Sequence, residues 1–104
     1  PTDNVISSSI PTLVSVTDAA GKGVICAEPF MVTGGCLATY GIDYYKLGVQ
    51  TGEMAADILE GKSKPANMPI ETARDLTLVI SKSGIEKLGL TIPEDVLKDA
   101  TLVD

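Results

Sequence analysis

The chain has no histidine and no tryptophan, one arginine (Arg74), one phenylalanine (Phe30) and two cysteines. Each shortage closes off a class of function. Without histidine, no side chain has an unperturbed pKa near neutrality, so the common acid–base, Ser–His and Cys–His machineries are missing. No GxSxG elbow or comparable spacing takes their place. Cys26 and Cys36 have no histidine to complete a zinc set, and two cysteines are too few for a disulfide framework. Both lie in apolar, strand-like runs and read as free thiols, with a bridge between neighbouring strands as the alternative. GKGVIC (residues 21–26) lacks phosphate-loop spacing, and its lysine precedes a strand instead of a helix. Neither an enzyme nor a cofactor is expected. Positive charge is also scarce: eight Lys and Arg against fourteen Asp and Glu give a net charge of −6. That balance argues against nucleic acid or an anionic membrane surface as partner. No apolar run approaches the roughly 18 residues of a spanning helix. No export signal or lipid-attachment sequence opens the chain, which begins at Pro1 and is expected to be processed or part of something longer.

What is present reads as alternating helices and strands. A chain of 104 residues can form one small domain with a real core. Asp3 or Asn4 is suited to start a helix, and Ile6, Ile10, Leu13, Val14 and Thr17 follow a helical period. Pro11 should kink that helix or restart it, and Gly21 should end it. GVICA (residues 23–27) reads as a short buried strand. Glu28, Pro29 and Phe30 then form a loop closed by Gly34-Gly35, with Phe30 expected in the core. CLATY (residues 36–40) is a second strand, followed by the junction Gly41-Ile42-Asp43. The long helix after it ends at Gly61. LTLVIS (residues 76–81) is the third strand. Ser83-Gly84-Ile85-Glu86 matches a capping box for a short helix ending at Gly89, and Pro93 opens a last helix. Strand–helix alternation predicts an α/β fold with a mainly parallel sheet. Three strands are few for such a sheet, and no strand precedes the opening loop, so the fold is expected to be incomplete in this chain.

The segment Ala38–Lys62 is the most informative stretch. Leu47, Gly48, Thr51, Met54, Ala55, Ile58 and Leu59 make one apolar or small face of its helix, with Lys46, Gln50, Glu53, Asp57 and Glu60 opposite. Gly48 and Gly52 each cost up to about 1 kcal/mol against Ala inside a helix, which predicts another backbone close by. Together with PTDN at residues 1–4 and LGLTIPEDVL at residues 88–97, this segment resembles the substrate-binding proteins of bacterial ABC importers. The branch is that of tryptophan, tyrosine and related amino acids, and the resemblance covers the C-terminal third of such proteins. It implies a Rossmann-like lobe of a type I periplasmic-binding-protein fold. Residues 1–40 would form a C-terminal-lobe segment, 41–75 a hinge crossing plus a helix of the other lobe, and 76–104 the return. It also implies an extracytoplasmic protein, periplasmic or lipid-anchored, that closes two hinged lobes around a small ligand and docks on a permease. A fragment of this kind should not bind ligand natively alone, and its open sheet edges would allow a swapped dimer. The competing readings are a self-associating α/β module and the effector-binding fragment of a regulator with the same fold.

Candidate ligand residues follow from both lines of reading. Asp3 and Asn4 are ordinary helix caps, and the resemblance places their loop, with Thr2, at a ligand cleft. There a carboxylate and an amide would meet a ligand's α-ammonium and carboxylate. Glu28 reads as a solvated loop acid, and by resemblance as a cleft residue. Asp43 reads as a cap for the long helix, and by resemblance as a hinge residue with Gly41 and Ile42. Tyr40 is preferred over Tyr45 as a ligand contact because a tyrosine offers an apolar face with a polar tip.

Overall fold

The computed structural model describes residues 2–104; Pro1, which opens the PTDN loop, lies outside the described residues. The elements run α1 (Asn4–Ser8), α2 (Ile10–Ala19), β1 (Ile25–Cys26), α3 (Pro29–Thr33), β2 (Ala38–Ile42) and α4 (Tyr44–Leu59). After a single 3₁₀ turn at Pro65–Asn67 come β3 (Leu76–Ser81), α5 (Lys82–Leu88), α6 (Glu94–Lys98) and β4 (Ala100–Val103). The fold is α/β, and its sheet has the order β1-β2-β3-β4. β1 pairs with β2 in parallel, Ile25 opposite Ala38 and Cys26 opposite Thr39. β3 pairs with β4 in parallel from Leu78–Ala100 to Ser81–Val103. At the centre, the Ser81 N–H donates to the Leu37 carbonyl at 2.9 Å. The last residue of β3 thus meets the residue before β2, so the return strand runs opposite to the outgoing one.

The chain divides into two compact units. The first runs to Gly41 and resumes at Thr77–Asp104. Its core is Ile10, Met31 and Cys36, with Val14, Val24 and Cys26 packed against them. Val32, Val79 and Ile80 are buried as well. Pro11 acts as expected: α1 stops at Ser8 and α2 restarts with proline in its first turn, where the missing N–H costs nothing. Gly21 and Gly89 follow α2 and α5 with φ of 62° and 61°, a conformation that glycine adopts without a Cβ penalty. The second unit is Ile42–Leu76, which carries α4 and the 3₁₀ turn.

Several expectations are corrected. GVICA supplies only a two-residue edge strand whose Ile25 is exposed, because among the described residues only one side of β1 has a neighbour. Pro29–Thr33 is helical, not loop, since proline at the first position fits a helix start. Phe30 on that helix is 53% exposed and lies outside the core, while the next two residues, Met31 and Val32, are buried. Strand β2 continues through Gly41 and Ile42, so the junction shrinks to Asp43. The cap of α5 is Ser81, whose Oγ accepts from the Gly84 N–H at 2.9 Å, and not Ser83. A fourth strand, β4, follows α6. The buried side of α4 carries Leu47, Gln50, Met54 and Asp57, with Gln50 the most buried. The face of Gly48, Thr51, Ala55, Ile58 and Leu59 is exposed, and among the described residues no atom outside the adjoining backbone of α4 itself lies within 4 Å of a Cβ built at Gly48 or Gly52.

Candidate ligand site

Asp3 caps α1: its Oδ1 accepts from the Val5 N–H at 2.9 Å and the Ile6 N–H at 3.1 Å. Asn4 is the first residue of that helix, and Thr2, Asp3 and Asn4 are all exposed. Asp43 caps α4 through Oδ1 and the Lys46 N–H at 3.1 Å. Tyr40, in β2, is 69% exposed, as its place on the outward side of an alternating strand dictates. Glu28 departs from its reading as a solvated acid and is buried. It occupies the cap position of α3 without making a side-chain capping bond.

Glu28 follows the carboxyl end of β1, the place where open α/β sheets present ligand contacts. Gly41 lies at the same end of β2 and is buried. A Cβ at Gly41 would stand 2.6 Å from the Ala27 carbonyl oxygen and 2.9 Å from Thr39 Oγ1, so only glycine fits there. Thr39 itself, 1% exposed, has a hydroxyl without a hydrogen-bond partner. The structure therefore brings Ala27, Glu28, Thr39 and Gly41 to one end of β1 and β2. No hydrogen bond or ion pair joins Asp3 or Asn4 to Glu28 among the described residues.

Sequence reasoning missed a polar cluster in the second unit. Gln50 Nε2 donates to Glu71 Oε2 at 2.9 Å and to the Thr72 carbonyl at 3.1 Å, while its Oε1 accepts from the Arg74 N–H at 3.1 Å. Arg74 grips the same Glu71 oxygen through Nε at 3.1 Å and Nη2 at 2.7 Å, and reaches Glu53 through Nη1 at 3.4 Å. Arg74 is the main cause that holds the Glu71 carboxyl below its ordinary range, with Gln50 second. The signal available in the sequence was position: Gln50 falls three residues after Leu47 and four before Met54, on their stripe. Beside this cluster runs a groove of about 340 Å³ lined by Tyr45, Lys46, Val49, Gln50, Glu53 and Arg74, among others.

The first unit has its own cleft of about 50 Å³ between Thr17, Gly23, Leu37, Ser81 and Lys87. It lies at the amino ends of β1 and β2, away from Glu28, and is far below the few hundred Å³ of a ligand pocket. Both cysteines are free. Burial, reinforced by the Cys26 thiol, pushes the Cys36 thiol up to about 12, which keeps it protonated and inert. No cluster of metal-binding side chains occurs among the described residues, nor any helix long and apolar enough to cross a membrane.

A family model described as ABC transporter substrate binding protein matches residues 1–104. The chain is 38% identical over 90 residues to a tyrosine-binding protein of Clostridioides difficile strain R20291, covering 86% of this chain and 26% of that protein. Among solved structures, it matches the ligand-free, open form of a Clostridium difficile substrate binding protein with adhesive properties. The TM-score is 0.81 at 36% identity, over 99% of this chain and 34% of the other. It also matches a Streptococcus pneumoniae ABC domain in complex with L-Trp, with a TM-score of 0.79 at 41% identity, over 100% of this chain and 36% of that one. The chain thus spans between about a quarter and about a third of the length of the relatives it matches.

Proposed function

The chain belongs to the ABC transporter substrate binding protein family, and on that footing we propose that it is the C-terminal third of an extracytoplasmic protein that captures an aromatic amino acid for import. The observation that carries this reading is the match of the family model along the whole chain, together with a relative named for tyrosine over 86% of it and one crystallised with L-Trp over all of it. In the full-length protein two hinged lobes close around the ligand, and the closed form docks on an ABC permease. The first unit belongs to the C-terminal lobe. The second belongs to the other lobe, whose remainder packs on the exposed face of α4. The division at Gly41/Ile42 and Leu76/Thr77 supports two hinge crossings, the outgoing one at Gly41, Ile42 and Asp43. Glu28, Tyr40 and Asp43 contact the ligand together with the loop of Thr2, Asp3 and Asn4.

Isothermal titration of the full-length protein with L-tyrosine, L-tryptophan and L-phenylalanine tests the reading. Saturable one-to-one binding of at least one of them is expected, with the isolated 104-residue chain silent. No binding of any of the three by the full-length protein overturns it.

A further inference from the structure

Gln50 is unusual for its position. It is 6% exposed on the buried side of α4, between Leu47 and Met54, where an apolar side chain is the ordinary occupant. A buried amide is tolerated when its two donors and its oxygen are all used. Here all are, and every bond goes to one stretch of chain, residues 71–74. Nε2 donates to Glu71 Oε2 and to the Thr72 carbonyl, and Oε1 accepts from the Arg74 N–H. Turning the amide over would set its oxygen against two acceptors, so the hydrogen bonds fix its orientation.

The two bonds to backbone have a form of their own. An N–H given to residue 72 and an oxygen offered to residue 74 is how a residue in a parallel strand holds the one facing it. The Gln50 amide therefore stands in for a strand neighbour opposite Ala73, in a segment without regular secondary structure. α4 holds this segment at further points, where Arg74 reaches Glu53 and Lys46 lies 3.9 Å from Asp75. Those ion pairs are exposed and individually weak. The anchored stretch ends at Asp75, β3 begins at Leu76, and the boundary of the two units falls between Leu76 and Thr77. The outgoing strand β2 runs into the same helix through the Asp43 cap.

We propose that Gln50 is a positioning residue for ligand capture: by holding residues 71–74 on α4 it fixes where the return crossing bends, at Leu76–Thr77, and so narrows the arrangements the ligand-free lobes sample. This rests on the binding-protein reading above and deepens it, because it names a residue outside the predicted ligand contacts that sets how readily the site closes. Without the amide, residues 71–75 gain backbone freedom in the open protein. Closure must then remove that freedom, and the cost is drawn from ligand affinity.

The test uses the full-length protein, spin-labelled at Lys22→Cys and Lys64→Cys in a Cys26→Ser background, so that each unit carries one exposed label. Electron–electron resonance gives the distribution of label distances without ligand, and calorimetric titration with L-tyrosine, L-tryptophan and L-phenylalanine gives affinity. Gln50→Leu is expected to broaden the ligand-free distribution and to weaken binding about tenfold, the equivalent of fixing one residue's backbone. Gln50→Glu keeps the volume and the acceptor for the Arg74 N–H but loses both donated bonds, and should act in the same direction. It decides the matter if Gln50→Leu does not fold. Met31→Ala, which loses stability in the first unit's core, should leave the distribution unchanged, so broadening is separated from mere destabilisation. If the wild type binds an amino acid but the Gln50 variant shows no broadening, or binds within about twofold of wild type, this proposal fails and the binding-protein reading stands. If the wild type binds none of the three, that reading fails, and Gln50 is judged on the ligand-free distribution. Broadening in the Gln50 variant and not in Met31→Ala then upholds the positioning role; any other pattern overturns it.

Discussion

Every fully buried hydrophobic side chain among the described residues belongs to the unit that runs to Gly41 and resumes at Thr77–Asp104, whereas Ile42–Leu76 buries one side chain, the amide of Gln50. The first unit is organised as a domain is, with apolar side chains from α2, α3 and β1 sharing one core. The second holds itself by hydrogen bonds: a capped helix and a glutamine that satisfies the backbone of a strand-free segment. Segments under about 40 residues cannot bury enough surface to be stable on apolar contacts alone. Polar contacts set a conformation more than they supply net stability, since each replaces a bond to water. The second unit therefore has a defined shape and little cohesion, with Val49, Ile58 and Leu59 of α4 left exposed.

The most severe way to expose this contrast is to remove apolar volume from each unit. Met31→Ala takes away a side chain that is 1% exposed at the centre of the first core. It should cost about 2–5 kcal/mol, as large-to-small changes in cores do. Ile58→Ala, on the exposed face of α4, should change stability by no more than about 0.5 kcal/mol in this chain. Urea unfolding of both variants measures the difference. Equal losses would show that the second unit has an apolar core after all.

A smaller effect is expected at Gln50. Gln50→Leu keeps the volume but leaves the Arg74 N–H and the Thr72 carbonyl without their side-chain partner, at a cost of about 1–3 kcal/mol. The loss should be local. Hydrogen exchange at the Arg74 amide should quicken, while the Ser81 amide, bonded to Leu37 in the first unit, keeps its protection. Equal loosening at both amides would mean that the two regions are not separately held.

The same contrast explains what was legible in the sequence. Features written in local chemistry came through: the helix restart at Pro11, the Asp43 cap, the glycine stops at Gly21 and Gly89, and the branched strand LTLVIS. Family membership came through because ATYGIDYYKLG and its neighbours are distinctive residue by residue. What failed depended on partners. The periodicity of α4 was read correctly, but its polar and apolar sides were assigned on the premise that apolar residues are always covered. In this chain a glutamine is covered instead, because a segment about twenty residues later needs its amide. β4 and the short helix at Pro29–Thr33 are too brief to show a period. Around the candidate site, Glu28 was singled out by its place after a strand, but its burial was not visible. Thr39 was missed because nothing in the word CLATY distinguishes an orphaned hydroxyl from a satisfied one.

The smallest and most specific difference between the units should appear in acid. The Glu71 carboxyl is held below its ordinary value of 4.5, first by hydrogen bonds from Arg74 and then by Gln50. Arg74 stays charged throughout, its own pKa being raised by Glu71. A carboxylate whose folded pKa is depressed binds fewer protons in the folded state than in the unfolded one. Its contribution is thus fully present above the ordinary value and is lost as pH falls through the lower, folded one. The window lies below about pH 4.5, and protonation there removes one of the two acceptors, Glu71 Oε2 and the Thr72 carbonyl, that orient the Gln50 amide. Across that window the Arg74 amide resonance should shift in step with the Glu71 carboxyl. Amides of the first unit's core, such as Cys36, which donates to the Met31 carbonyl at 3.1 Å, should not follow it. The pair is exposed to solvent, so salt should shrink the Arg74 response while leaving its direction unchanged. An Arg74 amide that stays unmoved while Glu71 titrates would show that Gln50 holds the return segment without help from the ion pair.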